Sequence, residues 1–248
     1  MADSINFIFE STAQGSYVDV LACSAKLEGC ISTQNAGSSN AGIYYQVGGG
    51  GLNGIFTAAL SNAGVLSDVN HELINCYNAR YGEGSYDDDK DSASQERLTT
   101  LLVGLPRGSG IGSKVIAMSY SVGPKLSAEG ITNRDQYAGI YRDAVAQCAG
   151  WNKTRDSKID ALRITMLSTG IYARNVDNPT KLMHDSAELI IKGVHDAVMQ
   201  DLENAPNTIL INSRYTHGDK ERSAFNSVYK DRQFSIMPHA AGFTVALN

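Results

Sequence analysis

The sequence predicts an α/β fold: a three-layer α/β/α sandwich around a mixed, largely parallel sheet. Three observations predict it. Short runs rich in Ile, Val, Phe and Thr alternate with stretches of helical apolar spacing over most of the chain. Two loops of small residues, 46–54 and 168–172, each follow a strand-like run and precede a helix-like one. The chain has 248 residues, 42% of them hydrophobic and 19% charged, which is enough for one large core. We expect a single domain over 1–248, with a flexible acidic loop at about 81–96.

Taken in order, Ile5 to Glu10 reads as a buried strand, and Gly15 separates it from a second candidate, Tyr17 to Cys23. A third runs from Gly29 to Thr33, followed by a polar loop from Gln34 to Gly42. Ser67 or Asp68 is placed to cap a helix running to about Arg80, with Val69, Leu73, Cys76 and Tyr77 on one face. Tyr81 to Glu96 turns to Gly, Ser and acid, the composition of a solvated loop, and it lacks the spacing of an EF-hand calcium loop. Thr99 to Val103 and Lys114 to Ser121 read as strands. The glycine-rich run between them, 104–114, offers Gly-Ser-Lys rather than the Gly-Lys-Ser/Thr of a P-loop and precedes a strand, so it reads as a turn.

Thr132 or Asn133 then caps a helix through about Gly150, with Tyr137, Ile140, Tyr141, Ala144 and Cys148 at helical spacing. Ala161 to Leu167 is a strand, and Ser168-Thr169-Gly170-Ile171-Tyr172 follows it directly. Pro179 opens a long helix to about Asn204, ended by Pro206. Thr208 to Asn212 is a further strand; a short helix at about Ser223 to Lys230 and an apolar tail complete the chain.

Charge and cysteine content narrow the classes of function. The net charge is −5, so nothing draws the chain as a whole to nucleic acid, and no local basic patch stands out. Cys23, Cys30, Cys76 and Cys148 form no C-x-x-C pair and no zinc-spaced cluster with histidine, so we expect reduced thiols, no metal and a cytoplasmic protein. No basic region precedes the first apolar residues and no apolar run approaches the roughly 20 residues of a membrane span, so neither a secretory signal nor a membrane partner is expected. Delivery into a host cytosol by a specialised secretion system would leave the same marks. The five histidines are scattered and no G-x-S-x-G elbow exists, which removes a Ser-His-Asp hydrolase.

The stretch with the most chemistry is Gln46-Val47-Gly48-Gly49-Gly50-Gly51-Leu52-Asn53-Gly54. Consecutive glycines let a ligand approach the main chain closely. A loop that opens a helix turns free N–H groups and the positive end of the dipole toward an anion. With 168–172 on the same sheet edge, a diphosphate could be gripped from both sides by neutral donors, which suits an acidic protein. Gly49 to Gly54 also satisfies G-x-G-x-x-G, but the only acid near the required spacing, Asp68, reads as a helix cap, and a dehydrogenase would leave 168–172 unexplained.

With both loops in view, the sequence resembles the macro domain family, whose members bind ADP-ribose. Gln34-Asn35-Ala36-Gly37 and Gly49-Gly50-Gly51-Leu52-Asn53-Gly54-Ile55-Phe56 are similar to the family's N-A-A-N and G-G-G-V-D-G-A-I, with a longer spacer. Val115 to Pro124 resembles V-I-H-x-V-G-P, and Ser168-Thr169-Gly170-Ile171-Tyr172-Ala173 resembles S-T-G-I-Y/F-G. The resemblance implies ADP-ribose as ligand, with no cofactor required. It lays Gly49, Gly50, Gly51 and Gly54 along the pyrophosphate and distal ribose, wraps Ser168, Thr169, Gly170, Ile171 and Tyr172 around the other side, and turns Asn35 toward that ribose. Two acids compete for the adenine amino group, Glu10 in a G-D-I-T-like context and Asp19; Asn212, and with it Tyr215, would border the adenosine.

The departures bear on catalysis. Hydrolytic members of one class carry Asp where this chain has Asn53, and an amide cannot take a proton from water. The paired glutamates of poly(ADP-ribose)-cleaving relatives are replaced by Thr57-Ala58-Ala59. Two functions remain. One is removal of ADP-ribose from ADP-ribosylated protein, with Asn35, Asn53 and Asp19 as the catalytic candidates. The alternative is a non-catalytic reader of ADP-ribose or another NAD-derived nucleotide.

Overall fold

The structure is a computed structural model, and it describes residues 4–10, 30–36, 52–89, 100–106, 109, 111, 114–124, 126–170, 173–212, 219–229 and 234–247. The expected strand at Tyr17 to Cys23 lies outside these residues. The strands are β1 (Ser4–Glu10), β2 (Cys30–Ala36), β3 (Thr100–Gly104), β4 (Val115–Ser121), β5 (Ile159–Ile164), β6 (Thr208–Asn212), β7 (Ile236–His239) and β8 (Gly242–Ala246). They form one sheet in the order β3-β4-β2-β5-β6-β1-β8-β7. The five central strands, β4 to β1, are mutually parallel; β3 joins one edge antiparallel, and β8 and β7 close the other as an antiparallel hairpin. Parallel neighbours need crossovers, so the sheet must be covered on both faces.

The helices that cover it are α1 (Leu52–Asn62), α2 (Leu66–Tyr81), the short α3 (Ser85–Asp89), α4 (Arg134–Thr154), α5 (Pro179–Gln200) and α6 (Asp219–Val228). Alternation along the strands sends residues to opposite faces, and two separate cores result. Phe7, Ile164, Ile209 and Ile211 pack with α4, α5 and α6 through Tyr141, Ile190, Val194 and Phe225. On the other face Leu101, Val103, Met118 and Tyr120 pack with α1 and α2 through Phe56, Leu60, Val69, Leu73 and Tyr77.

Local chemistry explains the helix ends, with two corrections to the sequence reading. Asn133 caps α4 by accepting from the Gln136 N–H at 3.0 Å, and Asn178 caps α5 by accepting from the Lys181 N–H at 2.9 Å, with Pro179 in the first turn. Neither Ser67 nor Asp68 caps α2: the helix starts at Leu66 with Val65 at the cap and no side-chain bond, so Asp68 sits inside the first turn where it favours the dipole. α5 stops at Gln200, before Pro206, because the Asp201 backbone leaves the helical region (φ −151°, ψ 70°). Near its middle, Gly193 lets α5 approach α4 closely: a Cβ there would lie 2.2 Å from the Ala138 carbonyl oxygen.

The C-terminal tail does more than the sequence indicated. It forms β7 and β8, and β8 pairs with β1 so that Phe243 stacks on Phe7 at 4.7 Å between ring centroids. The glycine-rich run after β3 is a strand connection, as expected: β3 and β4 are antiparallel, and the Leu105 N–H donates to Ile116 O at 2.8 Å. Within the acidic stretch, Ser85–Asp89 is helical, and the Tyr86 N–H ties it to α2 by donating to Asn78 Oδ1 at 2.8 Å. Among the described residues, no helix is long and apolar enough to cross a membrane.

Candidate functional site

Because β4, β2, β5, β6 and β1 are parallel, their C-terminal ends share one edge of the sheet, where ligands of open α/β folds bind. Register places the candidate residues in one row there. Glu10 pairs with Asn212, and Asn35 pairs with Tyr120. Two residues back, Ile8, Leu210, Arg163, Thr33 and Met118 form the preceding row across the same five strands. Glu10, Asn212 and Asn35 therefore lie level at the crest, with Thr165 between the last two. Asn212 and Arg163 are buried, at 3% and 1% exposure. A fully buried guanidinium marks this face as polar near the crest.

On the same edge, β5 gives way to the second small-residue loop, and its shape is fixed by three side chains. Ser168 is the one described non-glycine residue with positive φ, at 61°, in the left-handed region that L residues avoid. Its Oγ donates to Pro124 O at 2.7 Å. Gly123 makes that possible: a Cβ on it would lie 2.2 Å from the Ser168 Oγ and 3.1 Å from Leu167 Cβ. The loops after β4 and β5 thus interlock, and any Cβ at Gly123 would displace the Ser168 hydroxyl from its place.

Two tyrosines of α4 hold the loop from beneath. The Tyr137 hydroxyl donates to Leu167 O at 2.8 Å. The Tyr141 hydroxyl donates to Thr165 O at 2.8 Å and accepts from the Leu167 N–H at 2.9 Å. Both phenols are fully buried, and burial pushes Tyr137 up to about 12 and Tyr141 well above its usual value. They are neutral donors at any physiological pH, so they position the loop and do not titrate in it. Thr169 Oγ1 donates to Met166 O at 2.7 Å, and the Ala173 N–H closes a turn onto Gly170 O at 3.0 Å. Among the described residues Gly170 is open: a Cβ there meets none of them within 4 Å.

Opposite in sequence, α1 begins at Leu52, directly after the glycine run. Asn53 and Gly54 lie in its first turn, Asn53 buried at 9% exposure and Gly54 half-buried, while Phe56 anchors the helix in the core. No acidic side chain occupies that turn, so the positive end of the dipole is unopposed there. Asp19, Gly49, Gly50, Gly51, Ile171, Tyr172 and Tyr215 lie outside the described residues. Glu10 and Asn35 are placed by backbone register alone, which leaves Glu10 and Asp19 both as adenine candidates.

Sequence reasoning passed over three residues. Tyr137 and Tyr141 read as core stripe, which they are; that their hydroxyls hold 165–168 depends on a loop some 25–30 residues away and has no local signal. Glu221 in α6 is 0% exposed, and among the described residues neither carboxylate oxygen has a hydrogen-bond partner. Burial pushes it up to about 7. Its neighbours at helical spacing, Ala224, Phe225 and Val228, mark a buried face, and that pattern was the available clue.

His184, Asp185 and Glu188 bring ligand atoms within 4.8 Å of one another. Their carboxylates are already neutralised: Arg134 reaches Asp185 at 3.4 Å and Glu188 at 2.5 Å, and Lys181 also contacts Asp185. The group is an ion-pair network that ties α4 to α5.

Comparisons with known proteins follow the same lines. No protein-family profile and no curated protein matches the sequence. Solved structures do. A Trypanosoma brucei macrodomain superposes with a TM-score of 0.50 at 11% identity, covering 90% of this chain and 66% of that one. A variant of the Oceanobacillus iheyensis macrodomain gives 0.49 at 14% identity, covering 83% and 88%. A Trypanosoma brucei macrodomain in complex with ADP-ribose gives 0.47 at 14% identity, covering 79% and 62%. The chain has the macrodomain fold.

Proposed function

We propose that this chain binds ADP-ribose along the C-terminal edge of the sheet and removes it from ADP-ribosylated protein. The observation that carries the binding is the Ser168 loop. A left-handed serine, a close glycine contact and two buried tyrosines hold a small-residue loop in one shape at the sheet edge where ligands of such folds sit. The segment also matches the family's second phosphate loop in sequence, and the crest row of Glu10, Asn212 and Asn35 lies beside it. Pyrophosphate lies between this loop and the N-terminus of α1, its oxygens met by N–H donors rather than by basic side chains. Gly49, Gly50, Gly51 and Gly54 line one side, and Ser168, Thr169, Gly170, Ile171 and Tyr172 the other. Asn212 and either Glu10 or Asp19 border the adenosine.

In the hydrolytic reading, a water between the glycine loop and the ligand phosphate attacks the distal ribose. Loop N–H groups stabilise the charge that develops. Asn35 and Asn53 orient the ribose hydroxyls, and Asp19 or the phosphate itself receives the water's proton. One observation favours the second reading, a non-catalytic reader. Asn53 is a buried amide in the first turn of α1, where it can hydrogen-bond a ribose but cannot act as a base.

The test has two stages. Calorimetric titration with ADP-ribose, and with NAD, ADP and AMP as controls, should give micromolar or tighter binding for ADP-ribose alone. Incubation with labelled ADP-ribosylated protein then separates the readings: release of label identifies the hydrolase, and retention the reader. Preference for NAD over ADP-ribose would sink both.

A further inference from the structure

A cavity of about 720 Å³ opens behind the Ser168 loop, between the segment 173–174, the first two turns of α5 and one face of α6. Thr169 and Gly170 also line it, so the cavity adjoins the proposed pyrophosphate loop; among the described residues, nothing from α1 or from the crest row lines it, and its assignment rests on its own lining. Its floor is apolar: Leu182 and Ala224 are buried, and Ala173 and Met183 are half-buried beside them. Lys220, Ser223, Ala224 and Ser227, spaced by three and four, show that α6 presents a single stripe to it.

The charge around this cavity runs against that of the protein. The chain carries 26 acidic residues against 21 basic ones, yet among the described residues no Asp or Glu lines the cavity, whereas Arg174, Lys181, Lys220 and His184 do. Lys181 is engaged by Asp185; Arg174 and Lys220, both exposed, line the cavity from two different elements. The N-terminus of α5 adds its positive end, and no acidic residue occupies its first turn. Size and lining are those of a small-molecule site, an apolar enclosure with a few convergent polar groups.

We propose that this cavity binds a small amphipathic organic anion, an apolar chain or ring ending in a carboxylate. The apolar part lies over Leu182, Met183 and Ala224, and the carboxylate is received by Arg174 and Lys220. Charge selects the sign of the ligand, and the floor selects its length.

Octanoate is the probe, titrated into the isotopically labelled full chain and followed by backbone amide signals. The expected result is saturable shifts confined to Ala173, Arg174, Ala224, Ser227 and their neighbours, with roughly tenfold weaker binding of hexanoate, which lacks two methylenes. Acetate and octyltrimethylammonium should produce no saturable shift. The exposed double change Arg174→Glu with Lys220→Glu should weaken octanoate roughly tenfold or more, while thermal melting shows the variant still folded. A separate variant, Ala224→Trp, fills the cavity and should abolish the shifts. Equal binding of octyltrimethylammonium, or octanoate binding untouched by charge reversal, would overturn the proposal. So would saturation by an acidic peptide but not by octanoate, which would make the groove a protein-docking surface.

Discussion

Gly123 and Ser168 are in a contact that a Cβ would disturb: added to Gly123 it would stand 2.2 Å from the Ser168 Oγ, which is donating to Pro124 at 2.7 Å and would have to move. The two residues belong to the connections after β4 and β5, so the loop that is proposed to hold pyrophosphate is shaped by its neighbour across the sheet edge. Gly123→Ala should push Ser168 off this position. We expect a loss of about 1–3 kcal/mol in stability, as for overpacked sites. ADP-ribose binding should weaken roughly tenfold, the equivalent of one misplaced hydrogen bond to a charged group. Denaturant titration and calorimetry read the two effects separately, and an unchanged dissociation constant would detach Gly123 from the site.

The two α4 tyrosines should differ when changed to phenylalanine. Tyr141 both donates to Thr165 O and accepts from the Leu167 N–H, so Tyr141→Phe strands two buried backbone groups. Tyr137→Phe removes one donor, to Leu167 O. The expected costs are about 2–3 kcal/mol and about 1 kcal/mol respectively. Urea unfolding with unchanged slope would measure them; the reverse order would contradict the assigned bonds.

Glu221 makes stability depend on pH. Its folded value is raised from 4.5 to about 7 by burial, against which nearby Lys220 pulls only weakly. A raised acid favours folding while protonated: its contribution is fully present below the ordinary value of 4.5, declines as pH rises and is gone above about 7. Thermal melts from pH 4.5 to 8 should show this decline, and Glu221→Gln should remove it, raising stability at pH 8 by on the order of 2 kcal/mol. A variant with the same pH profile as the parent would show that Glu221 is solvated in solution.

Much of this was legible in the sequence because local chemistry fixes it. Thr208 to Asn212 is bounded by Pro206 and lies where it was expected, and Asn133 and Pro179 mark their helix starts; β5 ends at Ile164 rather than Leu167, so Ser168 to Gly170 begins after three intervening residues. The misses arise from long-range determinants. β7 contains Pro238 and is four residues long, so nothing local marks a strand; it exists because β8 pairs with β1, more than 230 residues away. Ser67 and Asp68 have cap-forming side chains, yet Leu66 and Val65 are drawn into the packing of α1 and α2, and the helix starts earlier. In the site, residue identities could be read but not the scaffold beneath them. The Tyr137 and Tyr141 hydroxyls have a use only once α4 lies under the 165–168 loop.

The side-chain caps offer a control for effects on folding alone. Asn178→Ala removes the acceptor for the Lys181 N–H, and should cost about 1 kcal/mol of stability. Melting temperature should fall, while binding of ADP-ribose at 25 °C should be unaltered.

The most direct measurement is calorimetric titration of ADP-ribose into the parent chain and into Gly170→Glu. A Cβ at Gly170 meets no described residue within 4 Å, so this variant should keep its fold while placing a carboxylate in the proposed pyrophosphate path. The account predicts micromolar or tighter binding to the parent and none detectable to the variant, with similar melting temperatures. Equal binding to both, or to neither, would contradict the claim that the Ser168 loop is one wall of an ADP-ribose site.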